Sequence, residues 1–408
     1  MPLALLALTI GAFAIGTTEF VIVGLIPTIA NDLAIDLPSA GLLVSFYALG
    51  VAVGAPVLTV LTGGVPRKAL LVMLMGLFTA ANLLAWWAPS YGLLIVARIL
   101  SGLAHGVFFS VGSVIATNLV SKERSASAIA TMFSGLTVAF VTGAPLGTIV
   151  GQDFGWRTTF LIVASLGLVA MVGALVFVPK GIPRTAPASF RLQAGLFLQP
   201  RLLLVLAMTA VGYGGSLIAF TYLAPILENV SGFTPPIVGA VLLGYGASVA
   251  VGNFWGGRLA DTHSPVFTLK IIFGILAGVL VLLDITAANK VLVLITVLLW
   301  GAVAFGNVPA LQVYIVQQAR RLAPYSVDVA SGMNIAAFNL GVAGGSSAGG
   351  LIVTHLGLMN TPWIAALAVL AALGLTALSG ELDRREIASS AEKRCVMPEL
   401  KNCPDPVV

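Results

Sequence analysis

Long apolar runs, separated by short charged or Pro/Gly-rich breaks, recur at steady intervals along the 408-residue chain. A helix of roughly 20 apolar residues crosses the ~30 Å hydrocarbon layer of a bilayer, and the runs reach about that length. The pattern therefore predicts twelve membrane-spanning helices, numbered here span 1 to span 12. In chain order the runs cover residues 3–28, 39–62, 69–88, 92–119, 127–150, 158–178, 202–227, 236–256, 267–287, 291–316, 327–354 and 362–379.

The twelve runs form two sets of six, separated by the polar stretch PKGIPRTAPASFRLQAGLFLQPR. Six plus six indicates a duplicated bundle. The predicted fold is an all-α membrane protein with twelve transmembrane helices in two pseudo-symmetric six-helix bundles. A mid-membrane cavity between the bundles should be lined by spans 1, 4, 7 and 10, with contributions from spans 2, 5, 8 and 11. The predicted domains are a bundle at 1–178, a cytoplasmic linker at 179–200, a bundle at 201–380 and a cytoplasmic tail at 381–408.

Composition agrees with this pattern, since 59% of the residues are hydrophobic, only 9% are charged and the mean hydropathy is +1.06. About a quarter of the residues are charged in an average soluble domain, so that class is excluded. The net charge of +5 could indicate nucleic acid, but the basic residues follow the topology instead. With the N-terminus in the cytoplasm, only Arg157 and Lys290 lie outside and Arg98 lies within a span. We therefore predict cytoplasmic termini and no nucleic-acid partner.

Span 1 contains a single acid, Glu19, in the apolar stretch GAFAIGTTEFVIVGLIPTIA. A carboxylate at this depth is costly unless it is paired, protonated or hydrated. In span 4, ARILSGLAHGVFF, helical spacing puts Arg98, His105 and Phe109 on one stripe. We expect Arg98 to contact an acid or backbone carbonyls, and Arg98 or a protonated His105 to be the partner of Glu19. The alternatives are a permanently protonated Glu19 that bonds a neighbouring helix and a structural histidine.

Glycines recur at four-residue spacing in two spans. In span 5, Gly143, Gly147 and Gly151 form a ridge, and Pro145 should bend the helix between them. Span 11 contains a second glycine ridge, Gly341, Gly345 and Gly349, within SGMNIAAFNLGVAGGSSAGG. Both ridges predict close packing against a neighbouring helix.

Polar and aromatic side chains in the spans are candidates for a substrate cavity. Asn339 projects roughly opposite the glycine ridge of span 11, where its amide faces either a cavity or lipid, and lipid is the costlier environment. The mixture of hydrogen-bonding and aromatic groups indicates a small, largely uncharged, hydroxylated solute such as a sugar or an amphenicol-like drug. The substrate-binding candidates are Tyr47, His105, Phe109, Tyr213, Tyr222, Asn253, Asn334 and Asn339.

Two equivalent loops carry a conformational motif. After span 8 stands GGRLADTHSPVFTLK, whose Gly257, Arg258 and Asp261 resemble the cytoplasmic signature G-x-L-a-D-r-x-G-r-[RK] of the major facilitator superfamily. The loop after span 2, TGGVPRKALLVM, keeps Arg67 and Lys68 but has a glycine where the signature carries its aspartate. The resemblance implies that the signature latches the outward-closed state in the second half, whereas the first half departs from the pattern.

Five ordered motifs extend this resemblance over nearly the whole chain: GTTEFVIVGLIPTIA, SFYALGVAVGAP, ARILSGLAHGVFF, GWRTTF and FNLG. Together they resemble the twelve-span drug:proton antiporter family, close to bacterial arabinose-efflux and sugar-efflux permeases, and the glycines and proline of span 5 resemble its exporter motif. The resemblance implies that Glu19 binds the coupling proton with Arg98 nearby, and that His105 and Asn339 line the cavity. It also implies a monomer in the bacterial inner membrane.

The energy source follows from what the sequence lacks. It contains no G-x-x-x-x-G-K-[ST] loop, no Ser/His/Asp constellation and no H-E-x-x-H motif, so we predict no enzyme, no metal and no cofactor. We expect a proton-coupled antiporter that exports a small neutral or weakly charged solute by alternating access, with the solute, protons and the bilayer as its partners. A proton-coupled uptake symporter and a multidrug exporter with no sugar role stay open. A channel is disfavoured because the chain has internal duplication and one buried acid.

Overall fold

The computed structural model describes residues 3–62, 64–121, 125–182, 195, 199–322 and 327–395. Within these residues the chain is built from helices and short connections, and twelve helices are long and apolar enough to cross a membrane. The predicted fold class and the predicted number of spans are confirmed. The protein is a multi-pass, all-helical membrane protein.

The observed spans lie close to the predicted runs, and three of them are interrupted. Span 5 contains a π-helical turn, and spans 7 and 10 are each divided into two helices. The first six spans are Leu3–Asp32, Leu37–Leu61, Arg67–Trp87, Tyr91–Asn118, Ser125–Val138 with Ala139–Gly143 (π) and Ala144–Asp153, and Trp156–Phe177. The second six are Pro200–Phe220 with Leu223–Asn229, Pro235–Thr262, Pro265–Thr286, Lys290–Ala304 with Asn307–Leu322, Val327–His355, and Asn360–Cys395.

The signature after span 8 does not form the predicted loop. The helix of span 8 continues to Thr262 and the next helix begins at Pro265, so Gly257 and Arg258 lie in the last turns of span 8. Asp261 belongs to the same helix, and its side chain lies outside the described part of the structure. Proline suits the first turn of a helix, where its missing N–H needs no partner, so span 9 can begin almost at once.

Span 12 extends beyond its predicted end at residue 379, because its helix continues to Cys395. The tail predicted from residue 381 therefore begins as a continuation of the span. Asp383 in this extension accepts a hydrogen bond from Arg201, one from Tyr314 at 2.7 Å and one from Gln318 at 2.8 Å. Most of the predicted linker 179–200 and the tail after Cys395 lie outside the described residues, so these domain boundaries stay predictions.

The start of span 1 and the end of span 12 lie on the same side of the helical layer, because the number of described spans is even. We call this side the terminal face; span 1 begins there at Leu3 and span 7 at Pro200. The other side is the opposite face, where span 1 ends at Asp32 and span 2 begins at Leu37.

The glycine ridge of span 11 packs backbone to backbone against span 7. A Cβ atom added to Gly345 would meet the carbonyl oxygen of Gly214, and one added to Gly341 would lie 2.5 Å from the carbonyl oxygen of Ala210. Side chains are excluded from this contact, as expected where small residues let helices approach closely in lipid.

The ridge of span 5 packs on span 1 through side chains instead. A Cβ atom on Gly143 would meet the hydroxyl of Thr17, and one on Gly147 would lie 2.9 Å from Val21 Cγ2. The bend expected at Pro145 takes the form of the π-helical turn Ala139–Gly143 directly before it. A proline at the start of the new α segment removes a hydrogen bond that the turn has already displaced.

The two halves of the chain contact each other between mid-depth and the opposite face. Ser45 of span 2 shares a hydrogen bond of 2.7 Å with Ser346 of span 11, and Ser347 donates a second one to Ser45 at 2.9 Å. Tyr222 is completely buried beside them, in a site bounded by the glycines Gly41 and Gly349. The halves are therefore closed against each other at the opposite face.

Leucine at position 345 should separate spans 7 and 11, because its Cβ meets backbone that cannot rotate away. Overpacking of this kind costs roughly 1–3 kcal/mol. We expect Gly345→Leu to lower the thermal unfolding midpoint in detergent and to slow transport. Gly344→Leu is the matched control, since a Cβ there meets nothing within 4 Å. Equal losses in the two variants would contradict the close-packing argument.

A disulfide between positions 45 and 346 should hold the opposite face closed. The hydroxyl oxygens of Ser45 and Ser346 lie 2.7 Å apart, close to the reach of a disulfide. In a variant with both native cysteines replaced by serine, Ser45→Cys/Ser346→Cys should crosslink under oxidation and lose transport, and reduction should restore it. Each single cysteine variant is the control. Undiminished transport by the fully crosslinked protein would refute opening at this face.

Candidate functional site

Arg98 is held by backbone carbonyls at the centre of the first bundle. Its side chain is almost completely buried; Nη1 donates to Thr18 O at 2.7 Å and Nε donates to Leu43 O at 3.2 Å. The guanidinium carbon lies 4.2 Å from the ring centre of Tyr47, a cation–π contact. Of the two predicted kinds of partner, an acid or carbonyls, the structure has the carbonyls, so Arg98 joins span 4 to spans 1 and 2.

Glu19, His105 and Tyr47 converge from spans 1, 4 and 2. Tyr47 Oη lies 3.0 Å from His105 Nδ1, within hydrogen-bond distance, and Glu19 Oε2 lies 3.9 Å from the same nitrogen. The second distance is too long for a direct hydrogen bond, but a small shift or a bridging water would complete it. His105 is thus the expected partner of Glu19, whereas the described ion pairs do not include Arg98.

Glu19 is slightly more exposed than the groups that surround it. Its side chain is 14% exposed, whereas that of His105 is 8% exposed and Arg98 is 1% exposed as a residue. Glu19, His105 and Tyr47 thus form a row of groups that can donate or accept a proton, with Glu19 at its more exposed end.

The next residue in span 1, Phe20, belongs to an aromatic cluster that joins the two bundles. Its ring centre lies 4.4 Å from that of Phe140 in span 5 and 6.2 Å from that of Phe305 in span 10. Phe305 in turn contacts Phe140 at 4.6 Å and Tyr213 in span 7 at 5.4 Å. The substrate candidate Tyr213 therefore lies in the interface between the bundles, in contact with Phe305 and Phe338, which are not among the predicted site residues.

A small cavity of about 20 Å³, with room for about one water molecule, lies on the closed side of this cluster. Its walls come from spans 1, 5, 7 and 8, so the expectation that spans 4 and 10 line the space between the bundles is not met by this cavity. The difference arises because spans 5 and 8 approach each other where the opposite face closes, as Gly246 shows: an added Cβ would lie 2.7 Å from Phe140 O. The lining residues are Phe20, Val23, Phe140, Ala144, Pro145, Thr148, Phe220, Leu242 and Tyr245.

Asn339 has one polar atom without a partner. Its Nδ2 donates to Ile335 O at 3.0 Å, and its Oδ1 is buried with no hydrogen-bond partner among the described residues. Its neighbour Phe338 contacts Tyr213, with ring centres 5.1 Å apart. An unsatisfied acceptor one residue along the helix from this contact is the kind of group that a hydroxyl-bearing ligand can satisfy.

Asn334, another predicted substrate-binding residue, has partners for both functions of its amide. It is completely buried, accepts from Thr209 Oγ1 at 2.6 Å and donates to Gln312 Oε1 at 2.9 Å. Gln312 donates in turn to Ser331 at 2.5 Å. This chain of side chains connects spans 7, 10 and 11 inside the second bundle and leaves the amide of Asn334 with both functions in use.

The remaining candidates lie around the site rather than in it. Phe109 stacks edge-on against His105, with ring centres 5.2 Å apart, and supports it from the first bundle. Tyr222 lies at the closed opposite face, where span 7 is divided, and Asn253 is half-buried on span 8. Arg67 is buried and Lys68 half-buried in the first turn of span 3. The structure does not bring these groups to the Glu19–His105 pair, apart from Phe109.

Twelve spans in two sets, with ionisable side chains at mid-depth beside the boundary between the halves, define a secondary transporter. The sequence profile of the Major Facilitator Superfamily matches residues 8–326, so the chain belongs to this superfamily. It is accordingly a membrane transporter and not an enzyme.

Comparison with known proteins places relatives in two bacteria. The chain is 49% identical over 383 residues to the MFS-type transporter YtbD of Bacillus subtilis, covering 94% of this chain and 96% of that protein. It is 40% identical over 376 residues to the inner membrane transport protein YdhP of Escherichia coli K12, covering 92% and 95%. A solved bacterial homologue of the human lysosomal transporter Spinster, inward-facing and occupied, shares the fold with a TM-score of 0.75 at 17% identity, covering 92% of this chain and 96% of that one.

Removal of Arg98 should destabilise the first bundle. Arg98→Ala removes the two hydrogen bonds by which span 4 holds the carbonyls of Thr18 and Leu43, and a hydrogen bond from a charged donor contributes about 1.5–3 kcal/mol. Arg98→Lys keeps the charge but lacks the forked guanidinium, so it should recover only part of the loss. Thermal unfolding midpoints of the purified proteins measure both effects. An unchanged midpoint for Arg98→Ala would show that the two hydrogen bonds are not structural.

Proposed function

We propose that the protein is a proton-coupled antiporter that exports a small neutral or weakly charged solute by alternating access. The observation that carries the proposal is the position of Glu19, whose Oε2 lies 3.9 Å from His105 Nδ1 while its side chain is 14% exposed. A buried carboxylate is costly in a membrane protein and typically marks a proton or ion pathway. If span 12 is taken as its membrane-crossing part, Asn360–Glu386, Glu19 is the only acid in the middle third of any described span, which favours it as the coupling group.

Phe20 would couple proton binding at Glu19 to substrate binding between the bundles. Glu19 and Phe20 are consecutive residues, so the carboxyl group and the aromatic cluster move on one helix. Protonation of Glu19 removes a negative charge beside His105 and gives the carboxyl group a proton to donate, and the space beside Phe20 is where a solute would separate the bundles. The proton and the solute would each favour a different arrangement of span 1, so that binding of one weakens binding of the other. This competition would give antiport.

The proposed location is the bacterial inner membrane, with both termini in the cytoplasm. The positive-inside distribution of Lys and Arg supports this orientation, and the relative YdhP is described as an inner membrane transport protein. In this orientation the closed opposite face is the outer one, and the substrate path opens toward the cytoplasm, where an exporter collects its substrate. We propose a monomer that uses the proton gradient and no cofactor.

The solute class follows from the side chains at the bundle interface. Tyr213, Phe305 and Phe140 offer aromatic faces, and Asn339 offers one unsatisfied acceptor. This combination suits a sugar-like or drug-like solute with an apolar face and at least one hydroxyl or N–H group. A multidrug exporter with no sugar role is the second candidate, favoured by the aromatic content of the cluster. Proton-coupled uptake by the same fold is the third.

Glu19→Gln should abolish uphill transport while keeping the shape and hydrogen bonding of the side chain. In vesicles with an imposed pH gradient, we expect the variant to lose concentrative efflux but to retain downhill exchange of the substrate. Glu228→Gln is the matched control, since Glu228 lies at the opposite-face end of span 7. Undiminished uphill transport by Glu19→Gln would refute the proton-carrying role, and a loss that Glu228→Gln shares would indicate a general effect of removing an acid.

A further inference from the structure

A second cavity lies far from the transport site, at the terminal face of the second bundle. It has a volume of about 400 Å³ and lies between spans 9, 10 and 12. Three of its lining residues are basic and one is acidic, and none of the basic ones takes part in an ion pair of the described chain. The lining residues are Ser264, Pro265, Val266, Phe267, Lys270, Tyr314, Gln317, Gln318, Arg321, Gly380, Asp383 and Arg384.

The acidic residue, Asp383, is already neutralised by its own neighbours. It pairs with Arg201, which does not line the cavity, and it accepts hydrogen bonds from Tyr314 and Gln318 at 2.7 Å and 2.8 Å. Lys270, Arg321 and Arg384 are left to determine the electrostatic potential of the cavity. A space of this kind at the end of a helical bundle attracts an anion.

Gln318 adds a buried acceptor to this basic cavity. The residue is only 2% exposed; its Nε2 donates to Asp383 and its Oε1 has no hydrogen-bond partner among the described residues. A simple anion such as chloride or sulfate could not satisfy this oxygen, because it has no proton to donate. The ligand that fits both features carries a negative group for the cations and a hydroxyl for Gln318.

The beginning of span 9 contributes the positive end of a 22-residue helix and an apolar rim. Ser264 caps this helix by accepting from Phe267 N at 3.2 Å, and the ring of Phe267 at the mouth of the cavity is 46% exposed. Further along the same helix Ile275, Leu282 and Ile285 are also exposed. The polar cavity is therefore continuous with an apolar helix surface that faces the bilayer.

We propose that this cavity binds the head group of an anionic glycerophospholipid whose phosphodiester is flanked by a hydroxyl group, as in phosphatidylglycerol. The phosphate contacts Lys270, Arg321 and Arg384, the head-group hydroxyl donates to Gln318 Oε1, and the acyl chains follow span 9 from Phe267 into the membrane. Basic pockets between spans at the cytoplasmic side are suited to anionic head groups. The lipid would hold spans 9, 10 and 12 together independently of the transported solute.

Native mass spectrometry of the full-length protein in detergent tests this proposal by titration with defined lipids. We expect tighter binding of phosphatidylglycerol than of phosphatidylcholine, and Lys270→Gln/Arg321→Gln should weaken phosphatidylglycerol binding by about tenfold or more, the effect of one lost charge-assisted contact. Arg258→Gln/Arg320→Gln is the matched control, because it removes two exposed cations of the same face that do not line the cavity. Equal weakening by both pairs would overturn the proposal in favour of unspecific charge attraction.

Two further arms test the hydroxyl contact and the source of the ligand. Phosphatidylmethanol keeps the phosphodiester charge but has no head-group hydroxyl, so it should bind wild type more weakly than phosphatidylglycerol, and Gln318→Leu should remove that difference. A difference that persists in Gln318→Leu would refute the contact with Gln318.

Free glycerophosphoglycerol carries the same head group without acyl chains. If it binds as tightly as the lipid, the site belongs to a soluble phosphodiester and the lipid assignment is wrong. Circular dichroism and gel filtration confirm that each variant is folded.

Discussion

The hydrocarbon interior of a membrane offers no hydrogen bonds, so every polar group in a span has to find its partners within the protein. Arg98 shows how far this constraint reaches, because one side chain donates to carbonyls on two other spans and fixes their relative position. Tyr47 is then placed over the guanidinium and beside His105. The geometry around Glu19 thus depends on a cation that makes no ion pair with it in the described structure.

The same constraint organises the second bundle with different chemistry. No buried cation takes the place of Arg98 in the described part of that half; amides and hydroxyls connect the spans instead, from Thr209 through Asn334 to Gln312. Close to the terminal face, Asp383 unites spans 7, 10 and 12. The halves are related in topology but differ in the chemistry that stabilises them, and the proton-coupling candidates all lie in the first.

Much of this arrangement could be predicted from the sequence, because length and hydropathy identify a membrane span. Helical spacing placed His105 and Arg98 on one stripe, and the isolated carboxylate at Glu19 identified the costly position. The aromatic cluster was missed, since Phe140 and Phe305 look like ordinary apolar residues until the helices are packed. Tyr222 was assigned to the substrate cavity because nothing in the sequence reveals that span 7 is divided near that residue. Predictions from periodicity recover faces of single helices, whereas contacts between halves require the assembled structure.

The phenol of Tyr222 bears on how readily the opposite face can open. It is completely buried beside Gly41 and Gly349, and its hydroxyl has no hydrogen-bond partner among the described residues. A buried hydroxyl without a partner costs about 1–3 kcal/mol, and water would satisfy it once the halves separate. Since 1.4 kcal/mol is a factor of about ten in an equilibrium constant, this single oxygen lowers the population of the closed arrangement relative to an open one by roughly that factor. Opening of the opposite face therefore costs less free energy than the area of contact alone would indicate.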